Sequence, residues 1–580
     1  MLLRVFLLLL IILGAQAEEE LARSILEIVE REEANETEKT ITVLEAAVNA
    51  GDGVGFCYYA VTNDTNVTVT IEALEKKPTS FRVRSAREHL YAAAFALDKR
   101  RDLISFESSV KLRTGKKLTA IFENLPLEST IHVLVSCNAI DEGGSSYRVT
   151  LESSDPLEKG VSDGCGWRGS RLVPTAPKAT LPKRILCIDG GGARGVVPLT
   201  ILRQAENMVQ KKNGLRVRER FDFFAGTSTG AVVAAAMAIA ELPIPCVDRL
   251  YFDLARLIFG SKGLSSSQRA TRFEAILCAV FGKDARLGRT YTNQRRVLFV
   301  ATDATTSRLR PFVFRNYEKE THLLDNDDDS SSDKQAPRVV DALLASAAAP
   351  PYFPSRENVR SLKLLDGALI ANNPTLVAVL EAAALGADEP ESIVSLGTGV
   401  APTKAARRGS LVLSSFDLLQ GVMNLLTDTD AAHDLVETYL DGARRNRDSS
   451  TRYHRLDVVV DSSHLDLAEG DSLKLTDLRH LALDYVRREK PYHWKSLIAE
   501  LDGKRRRSHT DNIFDIDVED AQIMTRSDLA SKKHKKIYDL ETYDDKKKDS
   551  WLRPLRKTAA KATGMHGFFS GKPTNLITNK

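Results

Sequence analysis

Gly226-Thr227-Ser228-Thr229-Gly230 sets a serine among small residues, after the apolar run from Phe221 to Ala225 and before the helix-forming Ala231-Val232-Val233-Ala234-Ala235-Ala236-Met237. This strand, turn and helix is the setting in which a serine hydroxyl becomes a nucleophile. Small flanks let the backbone turn sharply, and the helix amino terminus favours the negative charge that develops there. A second group of residues lies upstream, where Arg184-Ile185-Leu186-Cys187-Ile188 runs into Asp189-Gly190-Gly191-Gly192-Ala193-Arg194-Gly195. Consecutive glycines turn tightly and aim bare N–H groups at one point, so the loop suits an anion, either a nucleotide pyrophosphate or the oxyanion of acyl transfer. Gly190, Gly192 and Gly195 satisfy the dinucleotide pattern, but the ribose-binding acid expected about 20 residues further on is not evident. Lys211-Lys212-Asn213-Gly214 stands there and reads as a turn. A third candidate is Asp366, which with Gly367 ends the apolar run Leu362-Lys363-Leu364-Leu365 ahead of Asn372-Asn373-Pro374. An acid at the carboxyl end of a strand can face the crevice that holds Ser228, although such an acid is more often a turn residue.

In this order the three pieces resemble the patatin-like phospholipase family. The resemblance extends through Ala345-Ser346-Ala347-Ala348-Ala349-Pro350-Pro351-Tyr352-Phe353-Pro354, the block from Asp366 to Pro374, and Ser395-Leu396-Gly397-Thr398-Gly399, covering about residues 184 to 400. It implies a lipid acyl hydrolase of phospholipase A type with a Ser-Asp dyad, in which Ser228 is the nucleophile and Asp366 the base. Gly190, Gly191, Gly192 and Arg194 would form the oxyanion region, chiefly through the Gly191 and Gly192 amides, and Gly226, Thr227, Thr229 and Gly230 the elbow. It also implies a phospholipid or galactolipid substrate at a membrane surface, and neither metal nor cofactor. A histidine-containing triad stays open from the residues alone, because His433, His454, His464, His480 and His493 follow Asp366. A lipid-binding pseudoenzyme is the competing class, against which the intact serine, aspartate and glycine loop argue.

Around these residues the chain of 580 divides by pattern. Beyond residue 183, apolar strand-like runs alternate with alanine-rich helical stretches. That is the sign of an α/β fold with a mostly parallel sheet between helix layers, here at 184–400, with a mainly helical completion at 401–502. The completion includes a helical stretch at 416–423 and a strand candidate from Leu456 to Val460. From about residue 40 to 152 the period is two, as in Val67-Thr68-Val69-Thr70-Ile71-Glu72, which predicts a small β-rich, sandwich-like domain at 18–152. Ser85 to Lys99 reads as a helix within it, with Ser85 and Glu88 spaced as a capping box. Cys57 and Cys137 lie in strand patterns where a bridge is permitted in an oxidising compartment. Residues 153–183 read as a linker closed by Pro174, Pro177 and Pro182.

Hydrophobic residues at 43% and charged residues at 27% exclude collagen-like, globally disordered and multispanning classes, and a net charge of +3 argues for no nucleic-acid partner. The start, Met1 to Ala17, reads as a signal peptide, and sequons at Asn35, Asn63 and Asn66 fit a secreted or lumenal glycoprotein. The acidic insert Asp325 to Asp333 fails as a calcium loop, having Ser330 at the glycine position and Ala336 at the glutamate position. The tail 503–580, with 18 Lys/Arg against 11 Asp/Glu, reads as solvated and disordered, with contact to anionic lipid as a further option.

Overall fold

The computed structural model describes residues 31–34, 40–48, 53–74, 89–100, 102–137, 145–159, 181–213, 216–260, 263–287, 295–317, 336–359, 361–387, 390–400, 429–447, 451–460, 468–489 and 491–502. The expected signal peptide, the sequon at Asn35, the acidic insert from Asp325 to Asp333, the helix at 416–423 and the basic tail lie outside them.

The period-two region forms ten strands: β1 (Arg31–Ala34), β2 (Thr40–Val48), β3 (Gly53–Ala60), β4 (Thr65–Ala73), β5 (His89–Leu97), β6 (Leu103–Arg113), β7 (Lys117–Leu125), β8 (Thr130–Cys137), β9 (Ser145–Ser153) and β10 (Leu157–Lys159). They make two antiparallel five-stranded sheets, ordered β1-β2-β9-β4-β7 and β10-β3-β8-β5-β6. In β4, Val67, Val69 and Ile71 point into the core between the sheets while the residues between them reach outward, as the pleat requires.

Three expectations need correction here. Residues 89–97 are strand β5, not helix. Both faces of β5 are covered, with Leu90, Ala92, Ala94 and Ala96 in the sandwich core and Tyr91, Ala93, Phe95 and Leu97 in the core of the following domain. A strand buried on both sides shows no alternation, and its alanines then read as helix formers. Cys57 and Cys137 are not bridged. Cys57 faces His132 across the β3–β8 ladder, five residues from Cys137, or roughly 17 Å at ~3.4 Å per residue, whereas a disulfide needs Cα atoms within ~7 Å. Finally, the linker begins with structure, because Leu157–Lys159 pairs with β3 as strand β10.

Eight further strands form one sheet: β11 (Arg184–Ile188), β12 (Phe223–Thr227), β13 (Arg296–Asp303), β14 (Arg310–Arg315), β15 (Arg356–Val359), β16 (Leu362–Asp366), β17 (Ser392–Leu396) and β18 (Arg452–Leu456). Their order is β15-β16-β13-β12-β11-β17-β18, with β14 on β13. The run from β13 through β12, β11 and β17 to β18 is parallel, and the pairings of β14, β15 and β16 are antiparallel. The strand expected at Leu456 to Val460 therefore sits earlier, at Arg452–Leu456, with Val459 bridging only Val400.

Helices α1 (Val196–Asn213), α2 (Thr229–Ala238), α3 (Ile244–Phe259), α4 (Ser266–Phe281), α5 (Val339–Ser346), α6 (Ala368–Ala371), α7 (Thr375–Ala384), α8 (Asp430–Arg447), α9 (Ser472–Asp484) and α10 (Pro491–Leu501) complete the domain. Alternate strand residues face opposite layers. Leu186, Ile188, Phe224 and Phe299 pack with α1 to α5, α9 and α10, while Ile185, Cys187, Phe223 and Leu298 pack with α7 and α8. The result is the expected α/β architecture of three layers, preceded by a β-rich region. Every residue of α2 is buried, and its alanines let it lie close on the sheet behind the elbow.

Candidate active site

Strand β13 brings the serine and the aspartate together. Thr227, the last residue of β12, pairs with Val300, and Asp366, the last of β16, pairs with the next position, Ala301. The two strand ends thus deliver Ser228 and Asp366 to one spot, where Ser228 Oγ donates to Asp366 Oδ2 at 2.7 Å. Ser228 holds φ 53° and ψ −119°, an unfavourable conformation for a side chain with a Cβ, costing about 1–3 kcal/mol. Its neighbours have no room for side chains: a Cβ on Gly226 would lie 2.4 Å from Ala231 N, and one on Gly230 would lie 2.0 Å from Ile188 O.

The strained turn is pinned from α5. Ser228 N–H donates to Ser346 Oγ at 2.9 Å, and the Ser346 hydroxyl donates to Val300 O at 2.6 Å. The same segment anchors the acid, since Asp366 N–H donates to Ala348 O and Gly367 N–H to Ser346 O, both at 3.1 Å. Asp366 is buried, and its Oδ1 accepts Ala368 N–H at 2.8 Å. Burial pushes its carboxyl up to about 7, against the lowering pull of the Ala368 amide and the Ser228 hydroxyl. A carboxylate so placed can take a proton from Ser228 near neutral pH.

The glycine loop meets this pair with its carbonyls turned away and held. Thr398 Oγ1 donates to Gly190 O at 2.6 Å, Arg194 N–H to Gly191 O at 3.1 Å, and Thr229 Oγ1 to Gly192 O at 2.8 Å, where Tyr251 OH also donates. In a trans peptide the N–H points opposite to the C=O, so the Gly191 and Gly192 amides face the other way. Both residues line the cleft that contains Ser228 and Asp366, and their N–H groups have no acceptor among the described residues. Two members of the expected oxyanion set differ. The Gly190 N–H is committed to Asn372 O at 3.2 Å, and Arg194 acts on the loop from behind, with Nη1 on Gly399 O at 2.8 Å and Nε near Gly191 O at 3.4 Å. The donors available to an oxyanion are therefore Gly191 and Gly192.

Behind the loop lies a buried charge cluster that sequence reasoning did not find. Arg455 of β18 grips Asp189 with both terminal nitrogens, at 3.0 and 2.7 Å, and donates to Asp457 Oδ2 at 2.6 Å and Ser395 Oγ at 2.8 Å. Burial opposes its charge, but the two carboxylates outweigh that and hold the guanidinium firmly protonated. Asp457 Oδ1 accepts Gly399 N–H at 3.0 Å, and the Gly399 carbonyl accepts Arg194, so the cluster reaches Gly191 O through Arg194. Arg455→Met leaves the buried Asp189 and the partly buried Asp457 without their cation and is expected to cost about 3–5 kcal/mol, read by urea unfolding. An unfolding midpoint within error of the wild type would show that the cluster does not hold the loop.

The cleft occupies roughly 680 Å³ including its open mouth, and its walls are Leu254, Ile258, Phe259, Phe273, Tyr352 and Phe353. None of the described histidines lines it. His454 Nε2 pairs with Glu500 at 2.8 Å, His433 Nδ1 with the Tyr453 hydroxyl at 3.0 Å, and His480 lies on α9, while His464 and the side chain of His493 fall outside the described residues.

The α/β fold thus sets a strained serine at a turn from parallel strand to helix, touching a buried carboxylate in an apolar cleft. Residues 186–379 match the patatin-like phospholipase family. It is 29% identical over 293 residues to Phospholipase A I of Arabidopsis thaliana, covering 41% of this chain and 22% of that protein. It is 31% identical over 324 residues to Calcium-independent phospholipase A2-gamma of Oryctolagus cuniculus, covering 53% of this chain and 38% of that one. Patatin-like protein 2 of Arabidopsis thaliana is 27% identical over 346 residues, with 50% and 80% covered. The chain thus spans well under half the length of the first two relatives.

Proposed function

We propose that this chain is a lipid acyl hydrolase of phospholipase A type, cleaving fatty-acyl esters of phospholipids or galactolipids through an acyl-Ser228 intermediate. The observation that carries the reading is the 2.7 Å contact from Ser228 Oγ to Asp366 Oδ2 at an apolar cleft. Asp366 takes the hydroxyl proton as Ser228 Oγ attacks the ester carbonyl. The oxygen that gains charge is received by the Gly191 and Gly192 amides. As the tetrahedral intermediate collapses, the C–O bond to the lysolipid breaks and Asp366 returns the proton to the departing alkoxide. Water then attacks acyl-Ser228 with Asp366 accepting its proton; the bond to Ser228 Oγ breaks, Asp366 returns the proton to that oxygen, and fatty acid leaves. Two relatives are named as phospholipases, which supports a phospholipid substrate. A panel of phosphatidylcholine, phosphatidylethanolamine and galactolipid vesicles, assayed for fatty acid with wild type and Ser228→Ala, tests the reading. Release that is equal in both proteins, or no release by the wild type, counts against it.

The dyad needs no metal in any step, so fatty-acid release should persist within about two-fold in excess chelator. Loss in chelator with recovery on added calcium would contradict this. The reading extends to a secretory route, supported by the apolar start from Met1 to Ala17 and the sequons. Asn63 and Asn66 are exposed, and their side-chain Oδ1 atoms accept the N–H groups of Leu127 and Asn124 respectively. A glycosidase-sensitive mass shift on the expressed chain is the expected result. Contact of the tail 503–580 with anionic lipid belongs to the same proposal and should show as salt-sensitive vesicle binding lost on deleting the tail.

A further inference from the structure

Two helices of the catalytic domain carry the cleft on one side and the β-sandwich on the other. On α3, Tyr251, Leu254, Ile258 and Phe259 face the cleft. Its opposite side meets the sandwich: Tyr91 OH donates to Asp253 Oδ2 at 3.4 Å, and the Arg249 guanidinium lies 5.8 Å from the centre of the Phe106 ring. On α4, Phe273 lines the cleft and packs on Phe353 with ring centres 5.7 Å apart. Ala275 and Ala279 are two and six residues further on, so they turn to the other side of the helix. There β3 comes so close that a Cβ on Gly53 would sit 2.0 Å from Ala275 O and 2.8 Å from Ala279 Cβ. Tyr91, Phe95, Leu97, Phe106 and Leu134 of the sandwich belong to one continuous core with α3 and α4. Side chains this closely packed pass displacement on to their neighbours.

We propose that the β-sandwich is the outer support of the acyl-chain site, fixing α3 and α4 from behind and so deciding which acyl chains the cleft accepts. The inference rests on the hydrolase reading above. No described residue of the sandwich lines the cleft, so Gly53 and Phe106 act as positioning residues. Their substitutions act in opposite directions. Gly53→Ala forces α4 and Phe273 towards the cleft and narrows it. Phe106→Leu opens space behind α3 and lets that helix recede.

The test uses the full chain and p-nitrophenyl esters from butyrate to palmitate, and it reads the ratio of kcat/KM for palmitate to that for butyrate. Gly53→Ala should lower the ratio about five-fold or more, and Phe106→Leu should raise it, because single methylene-scale changes in an apolar pocket shift selectivity by such factors. Labelling of Ser228 by a small phosphonate should stay within two-fold of wild type in both, since it does not fill the cleft. A ratio unchanged in the folded variants overturns the proposal. If Gly53→Ala does not fold, Phe106→Leu decides alone. If the wild type hydrolyses no ester, the hydrolase reading has failed. Displacement of a fluorescent fatty acid by acids of different length then reads the cleft directly, with the same shifts expected and the same absence of shift decisive against the proposal.

Discussion

Ser228→Ala should lower fatty-acid release by at least ~100-fold, with the loss in kcat rather than in KM, because the hydroxyl removed forms the new bond and binds nothing else. The fold should survive. Alanine keeps the Cβ and therefore the strain at φ 53°, and the change forfeits one hydrogen bond, worth about 1 kcal/mol, between Ser228 and Asp366. Ser228→Gly separates the two contributions. It is equally inactive, yet it should unfold at a higher temperature than Ser228→Ala, because glycine adopts this conformation without a steric penalty. Equal melting temperatures for the two variants would mean that the elbow stores no strain. Residual release above about one hundredth of wild type in Ser228→Ala would remove the serine from its role.

Asp366→Asn should be nearly as damaging. The amide keeps the shape and can still accept Ala368 N–H, but it cannot take the Ser228 proton. Replacement of His433, His454 or His480 by glutamine should change activity only a few-fold, since none lines the cleft. A histidine variant that is folded and as damaged as Asp366→Asn would restore the triad. The pH dependence follows from the carboxyl pushed up to about 7 by burial. The base must be ionised to act, so kcat/KM should fall on the acid side with a midpoint near 7. The stability effect runs the opposite way. A folded-state value raised from 3.8 means that the native protein holds this proton more tightly than the unfolded chain, so stability falls as pH rises from about 4 to about 7. At pH 8 the wild type carries a desolvated charge that Asp366→Asn lacks, and the variant should melt higher. At pH 4 the difference should shrink. An Asn variant that melts lower than wild type at pH 8 would show that the carboxylate is well solvated and not the tuned base described here.

The strained serine at the strand-to-helix turn was readable because its signal is local. Strand, small-residue turn and helix are contiguous, and Ser228 adopts the conformation that this pattern demands. Asp366 was readable in the same way, as the acid that closes an apolar strand. What the chain hides is everything that acts across the fold. Ser346 sits in an alanine run and Tyr251 on an amphipathic helix, and no spacing links either to the elbow. Only β13 and the packing of α3 and α5 bring them there. Arg455 and Asp457 carry no local signal, because the apolar pattern of Val458 to Val460 points to a strand four residues later than the one that forms. The true strand, β18, carries polar side chains whose partners, Asp189 and Glu500, are far away in sequence. Strand β5 failed for a related reason: alternation betrays a strand only where one face meets water, and here the second face is covered by the following domain. The same double burial joins the sandwich to the site, which neither segment reveals alone.

The central claim, that Ser228 carries the acyl group in turnover, is tested most directly by acid-quenching the full chain within milliseconds of mixing with a p-nitrophenyl palmitate suspension and mapping the adduct by mass spectrometry. The dyad predicts a palmitoyl increment on the peptide containing Ser228, present in the wild type and absent from Ser228→Ala. Fatty acid released with no adduct on that peptide, or with the acyl group on a different residue, would contradict it.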